Sequence, residues 1–482
     1  MGNSQNNNSS VKKGFIWNFA ENVLYKIVQF LLQIIMARIL IPEDYGLCAI
    51  VLAFVNIAQE FVNSGFASAL IQRKNTTRMD FSTVCHFSVA LGILFYLILY
   101  FSSPWIAAYF EDDRISSIMR VMGISLIIGA FNSVQVAIVY KRLEFKKSFI
   151  ANLVSISVSA VLGIIAAIKG FGVWALVIQY MSNRVINMLV FLFLVKWLPS
   201  IEFSFQSIKV LFSYGWKLMA TQLFTFLSQD IYSLVIGKTF SKTQLGLYDL
   251  GNKIPANIAN TLASTVGRVL FPAFSSFQED TKKIKEYVKR ANQISSFIMF
   301  PLLFGIAAAA KPIVLLIFTE KWLDAVPIMQ IACVWYAFNP IHYANIQVSK
   351  AVGRSDISLY IELAKKTLDI IMLVIMAQLG IVYVALGLAI SSIIGLWIDI
   401  EPMKEHILYS TFEQLKDVFP SLITGVVLFV AIYTFNVALN FNPMLMLVVS
   451  LFIGILIFMI MTKLINKDVY SLVYNAVKRK SR

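Results

Sequence analysis

Any chemistry in this 482-residue chain must come from a few ionisable residues embedded in long apolar stretches. Lys26 and Arg184 stand out. Each is more than ten residues inside such a stretch, so at the helical rise each lies about 15–20 Å deep, near the middle of a bilayer. Neither has an acidic residue three or four positions away. Their counter-charge has to come from another helix or from a ligand, and a phosphate or diphosphate held by several Lys and Arg is the natural anion. Lys253, Arg268, Lys365 and Lys366 complete the set of anion-binding candidates, with Lys217 a further cation in a span. Glu21, Glu60 and Asp230 are the carboxylates that could couple transport to an ion, and they leave room for a cationic substrate.

Some of these charges also have a structural reading. Asp249 with Lys253, Glu362 with Lys366, and Lys365 with Asp369 are spaced i,i+4 and can neutralise one another on one helix face. Lys217 and Arg268 lie towards span ends, from which they can reach the headgroups. Other chemistries lack their residues. There is no Gly-rich loop followed by Lys and Ser or Thr to cradle nucleotide phosphates. The only histidines, His86, His342 and His406, are far apart, and Cys48, Cys85 and Cys333 have no paired spacing. No metal site, cofactor or disulfide framework is expected, and no polar loop is long enough for a membrane hydrolase or glycosyltransferase.

The elements that hold these residues are membrane spans. Hydrophobic residues make up 58% of the chain and charged residues 14%, with a mean hydropathy of +0.74; soluble domains carry about 25% charge. Apolar stretches of spanning length recur at 15–37, 44–70, 81–103, 115–139, 148–168, 171–195, 211–236, 244–272, 287–310, 325–348, 357–379, 381–399, 418–437 and 441–461. About 20 helical residues cross the hydrocarbon core, so the expected fold is an all-α polytopic membrane protein of about fourteen transmembrane helices. The alternating segments of roughly ten residues that mark a β-barrel are not seen. The stretches 244–272 and 357–379 contain the most charge and are the weakest.

Basic residues test this count. With the N-terminus in the cytoplasm, the inner connections hold 26 Lys and Arg and the outer ones seven. That asymmetry orients the spans and places both termini in the cytoplasm. It also accounts for the net charge of +15 without a nucleic-acid partner. The start is polar, and the first apolar run, from Phe15, continues into further runs without a small-residue cleavage site, so that run is expected to remain as a helix.

Residues Arg38 to Leu47 match Lys238 to Leu247 at an offset of 200, with Pro42, Gly46 and Leu47 opposite Lys242, Gly246 and Leu247. Gly14 with Trp17 and Gly215 with Trp216 begin the preceding helices. The economical division is a six-helix lobe over 1–200, a second over 201–400, and an extra helix pair with a basic tail over 401–482. Six spans per lobe give both lobes the same orientation about an axis along the membrane normal. The Lys-rich segment from Ser275 to Lys289 is expected as a surface helix between the lobes. Gly65, Pro104, Gly123, Pro255, Gly267, Pro272, Pro301 and Pro340 sit where helices could bend or end.

Several short motifs carry a family resemblance over most of the chain. They are Ala37-Arg38-Ile39-Leu40 with Pro42, Tyr45 and Gly46; Asn63 to Arg73; Gly170 to Leu176; Leu245 to Tyr248; Leu270 to Phe274; and Trp322 with Ala325 to Ile328. In order and spacing the chain resembles the polysaccharide-transporter branch of the multidrug, oligosaccharidyl-lipid and polysaccharide exporter superfamily. The resemblance implies two bundles around a cavity, and flipping of undecaprenyl-diphosphate-linked oligosaccharide across a bacterial inner or plasma membrane by alternating access. It also implies membrane lipids as surroundings, and a glycan polymerase or glycosyltransferases as partners. The alternatives are a cation-coupled small-molecule or multidrug exporter of the same architecture, and a scaffold recruiting a glycan synthase.

Overall fold

The computed structural model describes residues 24–63, 65–73, 75–276, 280–351, 354–439, 441–467 and 469–471. Among the described residues all regular structure is helical. In the order of the chain the helices are α1 (24–39, starting outside the described residues), α2 (Pro42–Asn63), α3 (Phe66–Gln72), α4 (Arg78–Tyr109), α5 (Arg114–Gly123), α6 (Ser125–Lys141), α7 (Phe145–Ile168), α8 (Val173–Val195), α9 (Phe205–Thr239) and α10 (Lys242–Ser276). There follow α11 (Thr281–Ala308), α12 (Ala310–Ile317), α13 (Val326–Ala337), α14 (Asn339–Ala351), α15 (Ser355–Ala377), α16 (Ile381–Ile400), α17 (Lys404–Ile407), α18 (Thr411–Ala438) and α19 (Pro443–Leu464). Nine helical stretches among the described residues are long and apolar enough to cross a membrane. Helices α9, α10 and α15 are as long but are not among these nine. The chain divides into two compact units, Met1–Gly246 and Leu247–Arg482.

Local sequence explains where helices start and break. Thr77 caps α4 by accepting from the Asp80 N–H at 3.2 Å, and Asp80 returns the bond by accepting from the Thr77 N–H at 2.8 Å. Ser410 and Glu413 form the same reciprocal box at the start of α18, satisfying donors that a helix start leaves orphaned. The stretch 44–70 is broken into α2 and α3 at Gly65, whose φ of 67° suits glycine. The absence of a side chain there has a second use: a Cβ would lie 2.3 Å from the Gly215 carbonyl oxygen, so α3 and α9 touch backbone to backbone.

Within the first unit, helix contacts follow small residues. Ser148, Ala151, Ser155, Ser159, Gly163 and Ala167 are buried along one face of α7, and a Cβ on Gly163 would lie 2.7 Å from the Gln179 Cβ of α8. Lipid tails are as apolar as Leu, so close van der Waals contact, rather than removal from water, holds such pairs. A core of Phe66, Leu70, Val84, Val134, Ile138 and Phe191 ties α3, α4, α6 and α8 together.

The second unit uses the same device where Gly425 of α18 meets the Phe300 carbonyl of α11, a Cβ there lying 3.1 Å from the oxygen. Phe300, Leu303, Phe338, Ile341 and Leu396 form its core. The Lys-rich segment expected as a separate surface helix instead forms, from Thr281 on, the first turns of α11. Lys285 pairs with Glu413 at 3.2 Å and Lys289 with Asp417 at 2.8 Å. These acids on α18 hold the basic face against the unit, where a lipid surface had been expected.

The internal repeat reappears as a contact. A Cβ on Gly46 would lie 1.8 Å from the Lys242 carbonyl oxygen, and one on Gly246 would lie 1.8 Å from the Pro42 carbonyl oxygen. Each copy thus presents its glycine to the same position of the other, as a local two-fold arrangement demands.

Candidate functional site

Among the first-unit candidates, Arg184 is half-buried on α8. Its guanidinium lies over the Tyr180 ring at 5.2 Å and its Nη2 donates to the Tyr180 hydroxyl at 3.3 Å. The residue before Arg184 and the one a turn beyond it are amides. Asn183 donates to the Ser159 hydroxyl at 3.3 Å, and Asn187 donates to Asn152 Oδ1 at 2.7 Å and accepts from Asn132 at 2.8 Å. Helices α6, α7 and α8 are therefore stitched by a ladder of polar side chains that ends at a cation. The charge of Arg184 reaches Tyr25 on α1, whose neighbour Lys26 is exposed. Lys26 thus follows in sequence the α1 residue on which the Arg184 charge acts.

Glu60 is half-buried on α2 and faces the Asn63 side chain. Glu21 lies outside the described residues, as do the side chains of Lys217, Asp230 and Arg268. A cavity of ≈ 500 Å³ is lined by Phe54, Trp105, Tyr109, Phe110, Leu234 and Lys238. Lys238 is held there by the Tyr109 carbonyl at 2.6 Å and by Glu111 at 2.9 Å.

In the second unit Lys253 pairs with Asp249 at 3.4 Å, the i,i+4 contact that spacing suggests. The other two i,i+4 pairings give way. Lys365 turns away from Asp369 to meet Asp399 of α16 at 3.1 Å, and Lys366 pairs with Asp369 at 3.4 Å in place of Glu362. The reason is burial. Asp399 is 0% exposed, and an interior carboxylate must recruit a cation or lose its charge. Asp369 has a further donor in Ser391, at 2.5 Å.

His342 of α14 completes this cluster. Its Nδ1 contacts Asp399 Oδ2 and lies 3.2 Å from Lys365 Nζ, while its Nε2 lies 3.0 Å from the Ser392 hydroxyl. That hydroxyl also faces the Trp335 carbonyl at 3.3 Å. A Cβ on Gly395 would be 3.4 Å from both the imidazole and the Lys365 stem, so Gly395 lets α16 approach the pair. Nearby, Asn292, Asn345 and Gln414 form a buried amide network with contacts of 3.0–3.1 Å.

Sequence reasoning had set His342 aside as isolated and had placed Asp399 at the last residue of a span. It also passed over Arg120, which donates to Ser103 at 3.0 Å and lies 4.6 Å over the Tyr100 ring. The signal that links His342, Lys365 and Asp399 runs across three helices, and no spacing within one helix reveals it. No group of three His, Cys, Asp or Glu among the described residues is arranged to hold a metal.

Long apolar helices that enclose polar ladders and buried ion clusters are the construction of a membrane transporter. A family model described as polysaccharide biosynthesis protein matches residues 35–327, and the chain belongs to that family. It is 25% identical over 409 residues to the lipopolysaccharide biosynthesis protein WzxC of Escherichia coli (strain K12), covering 83% of this chain and 82% of that one. It is 25% identical over 355 residues to the teichuronic acid biosynthesis protein TuaB of Bacillus subtilis (strain 168), covering 73% of each. The fold is similar to that of the lipid II flippase MurJ in an inward closed conformation, with a TM-score of 0.75 and 15% identity over 95% of this chain and 100% of that one. The protein is a polytopic transporter of polysaccharide biosynthesis, resident in a bacterial cytoplasmic membrane.

Proposed function

We propose that this protein flips a polyprenyl-diphosphate-linked oligosaccharide repeat from the cytoplasmic to the outer leaflet by alternating access of two six-helix lobes. In this reading there are fourteen spans, both termini are cytoplasmic, the lobes cover 1–200 and 201–400, and a helix pair follows. The 26-to-seven asymmetry of basic residues supports the topology. The reciprocal contact of Gly46 and Gly246 supports the repeat.

The observation that carries the reading is the half-buried Arg184, stacked on Tyr180 beside an amide ladder, whose charge acts on Tyr25 of α1, the residue before Lys26. Two cations could grip a diphosphate, and Tyr180 with the neighbouring amides offers the stacking and hydrogen-bonding surfaces that sugars need. The polyprenyl tail stays in lipid while the polar head crosses between the lobes. Lys253 and Arg268 remain candidates for the same anion on the other lobe. Lys365 and Lys366 are already engaged by Asp399 and Asp369, so their charge is less available to a substrate.

The test is transport of a fluorescent or radiolabelled lipid-linked oligosaccharide in proteoliposomes, normalised to inserted protein. Arg184→Ala and Lys26→Ala should each reduce flipping, and Glu at either position should reduce it further through repulsion. Undiminished flipping in both Ala variants and in their combination would remove the anion site.

A further inference from the structure

The cluster of His342, Asp399, Lys365 and Ser392 is not needed to bind a diphosphate, and its hydrogen bonds can be balanced in two ways. We propose that it is a proton-binding site inside the second unit, which takes up one proton at His342 Nε2 and releases it again.

The argument is an accounting of donors. The contact between His342 Nδ1 and Asp399 Oδ2 requires a proton between them, because two lone pairs at that separation would repel. With Nδ1–H donated to Asp399, the remaining variable is Nε2. In the proton-poor state Nε2 carries a lone pair, and the Ser392 hydroxyl, 3.0 Å away, donates to it. Lys365 and Asp399 then cancel and the cluster is neutral. In the proton-rich state a proton binds Nε2, which donates to Ser392, and the hydroxyl turns its own hydrogen to the Trp335 carbonyl at 3.3 Å. The cluster then carries one positive charge. Both imidazole nitrogens and the Ser392 hydroxyl keep a partner in both states, so uptake orphans none of them and requires no backbone movement.

The surroundings act on the proton-rich state in opposing directions. His342 and Asp399 side chains are 9% and 0% exposed, which penalises the extra charge. Asp399 stabilises an imidazolium and Lys365 opposes it. The charges acting on His342 are those of Lys365, Asp399 and, more remotely, Asp369. Asp369 is itself held by Ser391 and Lys366. Helices α11 and α18 bring Lys285, Glu413, Lys289 and Asp417, which pair with each other. Asp399 Oδ1 has no hydrogen-bond partner among the described residues, so the carboxylate is under-satisfied and gains from a second cation. The open side of the cluster is at Lys365, whose side chain is 20% exposed.

Coupling of this proton to transport rests on the flippase reading above; the site itself does not. A chain with three histidines allows a direct measurement. In ¹⁵N-histidine-labelled protein in nanodiscs, the resonances absent from His342→Gln belong to His342. They should titrate within the pH range over which the protein stays folded and show the Nδ1–H tautomer at the high-pH end. Lys365→Met should raise the midpoint and Asp399→Asn should lower it, each by about 1–3 pH units, the usual effect of a charge in contact. If Asp399→Asn does not accumulate, Lys365→Met alone decides. A His342 signal fixed in one protonation state over this range, or an unmoved midpoint in Lys365→Met, overturns the proton site. In proteoliposomes, flipping by His342→Gln should lose the pH dependence of the wild type. A titrating His342 with an unaltered transport profile overturns the coupling alone, and a wild-type protein that moves no lipid-linked glycan overturns the flippase reading while the resonance result stands.

Discussion

The reciprocal glycine contact sets a quantitative test, because the two glycines block the same approach. A Cβ at Gly46 or at Gly246 would sit 1.8 Å from a backbone carbonyl oxygen, whereas real Cβ atoms keep at least 3.0 Å. Either alanine therefore forces the ends of α2 and α10 apart by about 1.2 Å. The obstacle is backbone and cannot rotate away, so the cost belongs at the upper end of the overpacking range, about 3 kcal/mol. Alanine also returns about 1 kcal/mol of helix propensity at each site, leaving a net loss of about 2 kcal/mol for either single variant. Once one alanine has opened the gap, the second meets little further resistance and adds its own propensity gain. The double variant should then lose only about 1 kcal/mol, a coupling of about 3 kcal/mol from the additive sum. For units of this size 1 kcal/mol corresponds to about 2–4 °C. Melting midpoints in detergent should fall by about 4–8 °C in Gly46→Ala and Gly246→Ala and by about 2–4 °C in the pair. A double variant that melts at or below the sum of the single losses would refute the shared contact, as would single variants that melt like the wild type.

Arg184→Ala should lower flipping by about 10- to 150-fold, the equivalent of a lost charged hydrogen bond of about 1.5–3 kcal/mol, with protein abundance preserved; a loss of abundance in proportion would make Arg184 a structural residue. At the corner between α4 and α5, the hydrogen bond and charge of Lys238 hold the Glu111 carboxyl below its ordinary range. Burial pushes Asp112 up, but hydrogen bonds from the Arg114 side chain and backbone outweigh it and hold this carboxyl low as well. Folded values below unfolded ones mean that this corner contributes stability above about pH 4 and loses it as the pH falls through the folded values. The melting midpoint should therefore drop below about pH 4 in the wild type and drop less in Glu111→Gln/Asp112→Asn, which should start lower at neutral pH; equal acid sensitivity in both proteins would contradict this. Reporter fusions after Lys147 and Lys404 should read cytoplasm and one after Asp112 the outside, and two inverted reporters would overturn the fourteen-span map.

Helix positions were largely legible because burial in lipid writes them as apolar length, and their breaks were legible where a glycine or a cap is required. The stretch 44–70 shows the limit of that signal: it reads as one apolar run, and only the backbone at Gly65 separates α2 from α3. The surface-helix reading of Ser275 to Lys289 failed for a related reason. Amphipathicity reports that a basic face needs anions, but Glu413 and Asp417, more than a hundred residues further on, supply them as well as lipid headgroups would. Intramembrane charge follows the same rule. Spacing within one helix correctly paired Asp249 with Lys253. It mispaired Lys365, because an i,i+4 contact on a half-exposed face is worth a few tenths of a kcal/mol, while leaving Asp399 buried without its cation costs several. The group with the most to lose chooses the partner, and which group that is depends on burial across α14, α15 and α16. A sequence can therefore nominate the charged residues of a transporter; which of them stay available to substrate is decided by the carboxylates buried deepest, here Asp399.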